Sequence, residues 1–409
     1  MASSILYAIV SFILFEFVLS KVLGTLNYLS WNNPIPADAE GLYDAVKYEE
    51  AKRYAAANFK FGIVTSVFSL IVSLAFLLLG GFAYVDSIAL SYSENAVVQA
   101  LIFFGIVGIG SSFINLPFDI YNTFVIEERF GFNKTTAITF IGDKVKTLLL
   151  TVVLGGSILA LLTWLFQVLG NNFWLAGWII VAGVSIFMAM FYTNLLLPVF
   201  NKLTPLEPGE LRQSIENYAA KVNFPLTNIM VMDGSKRSSK ANAFFSGIGS
   251  RKNIVLFDNL IKDLSIEEIT AVLAHEVGHY KKKHVLQGMV IGILQMGVMF
   301  FLFGWLSQNP VLAEVLGAQK NSFHLSLIAF SLLFSPINLI TSLFMHMLSR
   351  KNEYEADNYA KTTFAAEPLI SSLKKLTVNH LSNVQPHPAY VFFNYSHPTL
   401  LQRMRNLRS

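Results

Sequence analysis

The chain has 409 residues, of which 54% are hydrophobic and only 14% charged, with a formal net charge of +4 and a mean hydropathy of +0.51. A soluble domain carries about 25% charged residues, so there is too little charge here to coat a folded surface in water. Disorder, collagen and a nucleic-acid-binding domain are excluded with it. Cysteine is absent, which removes disulfides and thiolate metal ligands, so any metal must be held by His, Asp or Glu.

Seven stretches reach the about 20 apolar residues that a membrane span needs, namely 5–23, 61–84, 97–117, 147–170, 173–200, 285–306 and 324–349. The first has no positive charge in residues 1–4 and no small-residue cleavage site after it, so it reads as a retained anchor rather than a signal peptide. Its Glu16 is expected to face other helices or a cavity. Asn171 and Asn172 form the tight turn between the fourth and fifth stretches.

The 30 Lys and Arg residues alternate between the two sides: 29 fall on one and only Lys320 on the other. By the positive-inside rule the N-terminus is outside and the C-terminus cytoplasmic. The chain therefore divides into spans one to five (1–200), a first cytoplasmic segment (201–284), a helical hairpin of spans six and seven (285–349) and a second cytoplasmic segment (350–409). The two polar segments share one side of the membrane.

Segment 201–284 reads as a small α/β unit. Pro208 opens a helix running to about Val222, and 228–232 and 253–257 alternate as strands, the second after a Gly-rich turn at 246–250. If 253–257 is an edge strand, an extended peptide could add to it; an interior strand fits the pattern equally well. Ser265 and Glu268 then form a capping box that starts a helix.

That helix contains His275-Glu276-Val277-Gly278-His279. Histidines at i and i+4 lie on one face and can bind one zinc ion, with Glu276 beside the water that the metal activates. A catalytic zinc usually takes a third protein ligand. The segment Asn352-Glu353-Tyr354-Glu355-Ala356-Asp357 supplies it: Glu353 is expected to ligate, and Asp357, one turn on, to accept the proton of a ligand histidine. Glu355 points away and reads as solvated or salt-bridged. His346 is a competing ligand if one helix runs from it to Glu353. His284 reads as a membrane-interface residue, His324 lies at the outer end of span seven, and His380 and His387 read as structural.

The zinc motif, the 352–357 segment and His397-Pro398-Thr399-Leu400-Leu401-Gln402-Arg403 occur in the order seen in the type I CAAX prenyl proteases, which the whole chain resembles. Two further stretches are similar, Glu128-Arg129-Phe130-Gly131-Phe132-Asn133 and the run from Asp233 to Asn242. That family comprises integral-membrane zinc metalloproteases, among them the yeast a-factor-converting enzyme. The resemblance implies a mainly α membrane protein, a barrel of seven transmembrane helices around an intramembrane chamber, with a small α/β zinc-metalloprotease (gluzincin) domain on the cytoplasmic side. It implies zinc on His275, His279 and Glu353, Glu276 as general base, and His397 and Asn242 at the scissile peptide. Arg403 would join the substrate-binding set, orient the carboxylates of the zinc site, or tie down the C-terminal tail.

The implied substrate is a peptide or protein, possibly prenylated, met at the lipid bilayer. The chain ends without a dilysine-type retrieval signal and is shorter than familiar eukaryotic members, which favours a bacterial inner membrane over the endoplasmic reticulum. Bacteria generally lack protein prenylation, so a quality-control protease of unprenylated substrates is the rival reading. A transporter is the rival from another class, but it would concentrate its special residues at the bilayer midplane, not in the cytoplasmic segments.

Overall fold

The computed structural model describes residues 1–246 and 252–409. Among the described residues, seven helices are long and apolar enough to cross a membrane: Ala2–Asn32, Ala45–Leu78, Ala96–Glu127, Ala137–Leu169, Phe173–Phe200, His284–Leu306 and Phe323–Thr363. They correspond one to one with the predicted stretches, with shifted ends. Span two begins earlier because Asp44 caps it, accepting the Lys47 N–H at 2.7 Å. It ends earlier because Gly80 takes a left-handed φ of 75°, after which Gly81–Tyr92 forms a separate helix. Span seven belongs to a 41-residue helix. At 1.5 Å per residue that is about 60 Å, about twice the hydrocarbon core, so its last turns stand clear of the bilayer as a rigid post.

The spans enclose a hollow. In a solid bundle each helix buries a broad stripe, yet here only 6–17% of each span's apolar window is buried. Span two shows why both of its faces stay open. Val64, Val67 and Ile71 are exposed on one side, and Ser66, Ser69 and Ser73 lie half a turn round on the other. The apolar side suits lipid and the polar side suits the interior, where Ser69, Ser73, Ser111 and Asn115 line a cavity of about 390 Å³ that reaches Leu332 of span seven. Glu16 is half-buried, on the side of span one away from the exposed Leu14, Val18 and Val22.

Spans five and six make the tightest wall. A Cβ on Gly177 would come 2.7 Å from Phe300, one on Gly297 3.0 Å from Trp178, and one on Gly304 2.9 Å from Trp174. Small residues thus let each helix receive the other's aromatic rings, and the Trp178 indole N–H donates to the Ile293 carbonyl at 2.8 Å.

Outside the spans, a four-stranded sheet has the order β1 (Leu203–Pro205), β2 (Leu226–Met232), β4 (Lys252–Phe257), β3 (Ala243–Ser246). Strands β2 and β4 are parallel, and β3 runs antiparallel to β4. Strand 253–257 is therefore interior, with a neighbour on each side, so it has no free edge for a peptide; β1 and β3 are the edge strands. The Gly-rich turn at 246–250 lies outside the described residues apart from Ser246. Helices α1 (Glu210–Lys221), α2 (Ile266–Lys281), α3 (Ala366–Asn379), α4 (Pro388–Asn394) and α5 (Leu400–Arg408) accompany the sheet, beside a short helix at Asp258–Asp263. Their common core takes Ile215, Ile254, Ile269, Leu273, Ile370 and Met404, all buried. Full burial of such a side chain contributes about 1.5–3 kcal/mol.

The two stretches singled out at 128–133 and 233–242 meet. Lys134 N–H donates to the Arg237 carbonyl and Ser239 N–H to the Phe132 carbonyl, both at 3.0 Å. Arg237 grips Asp143 of span four with two nitrogens, at 2.7 and 2.9 Å. Lys240 reaches Glu127 of span three at 2.9 Å and Tyr54 of span two at 3.0 Å. Burial disfavours the Lys240 ammonium, but Tyr54 and Glu127 outweigh it and hold its pKa above the usual lysine value. These contacts fasten the sheet to the membrane helices.

Candidate metal centre

Helix α2 starts with the predicted capping box: Ser265 Oγ accepts the Glu268 N–H at 3.2 Å, and Glu268 Oε2 accepts the Ser265 N–H at 2.7 Å. Ile269, Leu273 and Val277 seat one side of α2 in the core. Gly278 lets the other side press onto the post that extends from span seven: a Cβ there would meet Ala356 Cα at 2.9 Å and Tyr359 Cβ at 3.1 Å. This close approach brings Glu353 to the two histidines.

His275 Nε2 and His279 Nε2 are 3.2 Å apart, His275 Nε2 is 3.4 Å from Glu353 Oε2, and His279 Nε2 is 3.2 Å from Glu353 Oε1. Donors at tetrahedral corners about 2.05 Å from a zinc ion are about 3.3 Å apart, so the triangle has the size of a zinc site. The chemistry of the donors agrees. Glu353 Oε2 is buried and accepts no hydrogen bond among the described residues, although Arg403 Nη1 stands 3.4 Å away, so a lone pair is left for a metal ion. These three residues could hold a metal.

Each histidine is oriented from behind. His275 Nδ1 lies 2.8 Å from Asp357 Oδ1, so Nδ1 carries the proton and Nε2 presents its lone pair. Arg403 enters from α5 and holds that carboxylate, with Nε 2.9 Å from Asp357 Oδ2 and Nη2 2.5 Å from Oδ1. Its Nη1 is 3.4 Å from Glu353 Oε2. Burial and Arg403 press the His275 pKa down, but the carboxylates of Asp357 and Glu353 outweigh them and raise it to about 9. A metal that binds there must displace that proton.

His279 has a second relay, which the sequence reading missed. His284, read from sequence as an interface residue, is buried: its Nδ1 is 3.0 Å from His279 Nδ1, and its Nε2 is 3.2 Å from Glu355 Oε2. Lys283 adopts a left-handed φ of 61°, which turns the chain sharply between α2 and span six and swings His284 under the motif. With His279 Nε2 facing the donor triangle, its Nδ1–H donates to His284 Nδ1, and His284 Nε2–H donates to Glu355. Glu355 is thus salt-bridged rather than merely solvated, with Lys351 at 3.9 Å on its other side. The available signal was the spacing from His279 to His284, which is five residues and skips the helical face.

Glu276 makes no hydrogen bond or ion pair among the described residues. Burial pushes its carboxyl pKa up, although the imidazoles of His275 and His279 counter this. His397 is 63% exposed at its side chain, yet its Nε2 lies 3.3 Å from Glu353 Oε1 at the rim of the triangle. Arg403, expected among the substrate-binding residues, is buried and turned to Asp357 and Glu353, which a long planar fork can bridge where a substrate could not reach. Asn242 is exposed just ahead of β3 and its Oδ1 accepts the Ala243 N–H at 2.8 Å. None of its hydrogen bonds among the described residues reaches the triangle. His346 does not join it either, since its Nδ1 is 3.0 Å from the Phe393 carbonyl. His324 pairs with Asp86 at 2.6 Å at the start of span seven, His380 Nε2 accepts the Ala241 N–H, and His387 caps α4.

Seven membrane helices and a helix-borne pair of histidines joined by a glutamate define a membrane-embedded metallopeptidase. Residues 25–202 match the model of the CAAX prenyl protease N-terminal region with five membrane helices, and residues 205–409 match peptidase family M48. The chain belongs to that family, which implies a metal. CAAX prenyl protease 1 of Saccharomyces cerevisiae is 34% identical over 91% of this chain and 88% of the relative. The homolog from Oryza sativa subsp. japonica is 32% identical over 100% of this chain and 98% of the relative. The crystal structure of S. mikatae Ste24p superposes with a TM-score of 0.92 at 33% identity, covering 98% of each chain. Because the rice relative matches end to end, shortness carries no weight for a bacterial source.

Proposed function

We propose that this chain is a zinc endopeptidase that removes the C-terminal tripeptide from prenylated CAAX proteins at the cytoplasmic face of its membrane, with its N-terminus on the opposite side. The observation that carries this is the 3.2–3.4 Å triangle of His275, His279 and Glu353 beside an unpaired Glu276. One zinc ion on these three residues would activate water and polarise the scissile carbonyl.

The chain's own groups do the remainder. Glu276, with its raised pKa, takes the proton of the attacking water and passes it to the leaving amine. His397, at the rim of the triangle, donates to the oxygen that gains charge. Asp357, Arg403, His284 and Glu355 hold the ligand imidazoles in place. The free edge of β3, with Asn242 at its start, takes the substrate backbone in extended form. The names of the yeast and rice relatives support the choice of substrate.

The test is mass spectrometry of a farnesylated peptide ending in a CAAX sequence, beside its unprenylated twin, after incubation with the purified zinc-loaded protein. Cleavage of the farnesylated peptide between the modified Cys and the next residue is expected. Equal cleavage of the twin would show that the prenyl group is not read, and cleavage of neither would overturn the substrate assignment.

A further inference from the structure

A groove of about 740 Å³ runs between spans two and three, and none of the metal-site residues lines it. It contains Val64, which shares the exposed apolar side of span two with Val67 and Ile71, the side suited to lipid. Its two ends differ. Arg53, Lys60 and Arg129 line one end, and Phe61, Val64, Phe118 and Tyr121 line the other.

Local sequence produces this shape. Arg53 and Lys60 are two helical turns apart on one stripe, and Ala56 and Ala57 between them leave the trough open. On span three, Pro117 interrupts the hydrogen-bond ladder and the residues Asn122–Glu127 wind as a π-helix. None of the three cations has a carboxylate partner among the described residues, whereas nearby Lys47, Lys52 and Lys240 each have one. Three cations without a carboxylate partner beside an apolar trough, at the basic end of two membrane helices, match the polarity of an anionic amphiphile.

We propose that this groove is a binding site for one anionic glycerophospholipid, its phosphate between Arg53, Lys60 and Arg129 and an acyl chain along Phe61, Val64 and Phe118. The occupant follows from charge and depth: a neutral lipid leaves three cations unanswered, and a soluble anion leaves the apolar end bare. The site is independent of the peptidase reading, since none of its residues touches the metal centre.

The experiment is native mass spectrometry of the full-length protein in neutral detergent, titrated with dimyristoyl-phosphatidylglycerol, with dimyristoyl-phosphatidylcholine and with inorganic phosphate. One phosphatidylglycerol is expected to stay bound, and phosphatidylcholine is not. The variant R53Q/K60Q/R129Q should bind phosphatidylglycerol about fivefold more weakly for each charge removed. The charge-preserving R53K/K60R/R129K should retain the lipid, and Ala56→Trp, which fills the trough with all three charges intact, should lose it. Equal retention by wild type, the Gln variant and Ala56→Trp would overturn the proposal. Displacement of the lipid by millimolar inorganic phosphate would also overturn it, by making this a soluble-anion site.

Discussion

His279 and His284 face each other through their Nδ1 atoms at 3.0 Å, and His284 hands the chain of hydrogen bonds on to Glu355. Outer partners of metal-binding histidines typically govern about 10–100-fold in metal affinity. His284→Ala is therefore expected to lower zinc affinity by about that factor, measured by competition with a chromogenic chelator, while thermal stability without metal changes little. Unaltered affinity in a folded variant would remove His284 from the positioning of His279.

Gly278 touches the post of span seven so closely that a methyl group would lie 2.9 Å from Ala356 Cα. The obstacle is backbone, so the helices must part. Overpacking of this kind costs about 1–3 kcal/mol, and Gly278→Ala should show it as a lower unfolding temperature. It should also lose more metal affinity than His284→Ala, because it moves Glu353 away from both histidines at once. Wild-type affinity in Gly278→Ala would show that the helix contact does not set the triangle.

Glu276→Gln is expected to keep zinc and abolish turnover, since the amide keeps the shape and cannot take a proton. His397→Ala should also keep zinc, and kcat should fall about 10²–10³-fold, the usual cost of one donor to a developing oxyanion. Metal analysis beside single-turnover kinetics separates the two effects. Turnover at the wild-type rate in Glu276→Gln would sink the assigned chemistry.

Glu268 caps α2 and is buried, accepting from Ser265 N–H and Lys375 at 2.7 Å and from Ser371 at 2.6 Å. Burial raises its pKa, but these donors outweigh it and hold the carboxyl below its ordinary value. A depressed folded pKa stabilises the fold above the unfolded value of about 4.3, and that stability is lost as pH falls through the folded value. Glu268→Gln should thus be less stable than wild type by about 1–3 kcal/mol at neutral pH. The gap should begin to narrow as pH falls below about 4.3 and close once pH is below the folded value, as read from denaturation midpoints. A gap independent of pH would mean that the charge of Glu268 does not matter.

Local pattern carried much of this protein. An apolar run long enough to cross lipid must do so because its backbone can be satisfied there only as a helix, so seven spans could be counted without a structure. The same holds for His275, Glu276 and His279, whose spacing on one helix brings them together whatever surrounds them. The cap at Ser265 is equally local.

What sequence left open depends on contacts between distant segments. Whether 253–257 is interior or edge is a matter of which strand lies beside it, and only pairing with β2 and β3 decides that. His284 looked like an interface residue because its neighbours Lys281, Lys282 and Lys283 are basic. A single left-handed residue turns it inward, and nothing in the residue type of Lys283 announces that. Arg403 reaches Asp357 across 46 positions of sequence, and the loop at 128–133 finds the run 233–240 only through the packing of the sheet onto the spans. Helix periodicity and hydrophobicity are properties of neighbours in the chain, whereas the orientation of a ligand is set by whatever stands behind it in space.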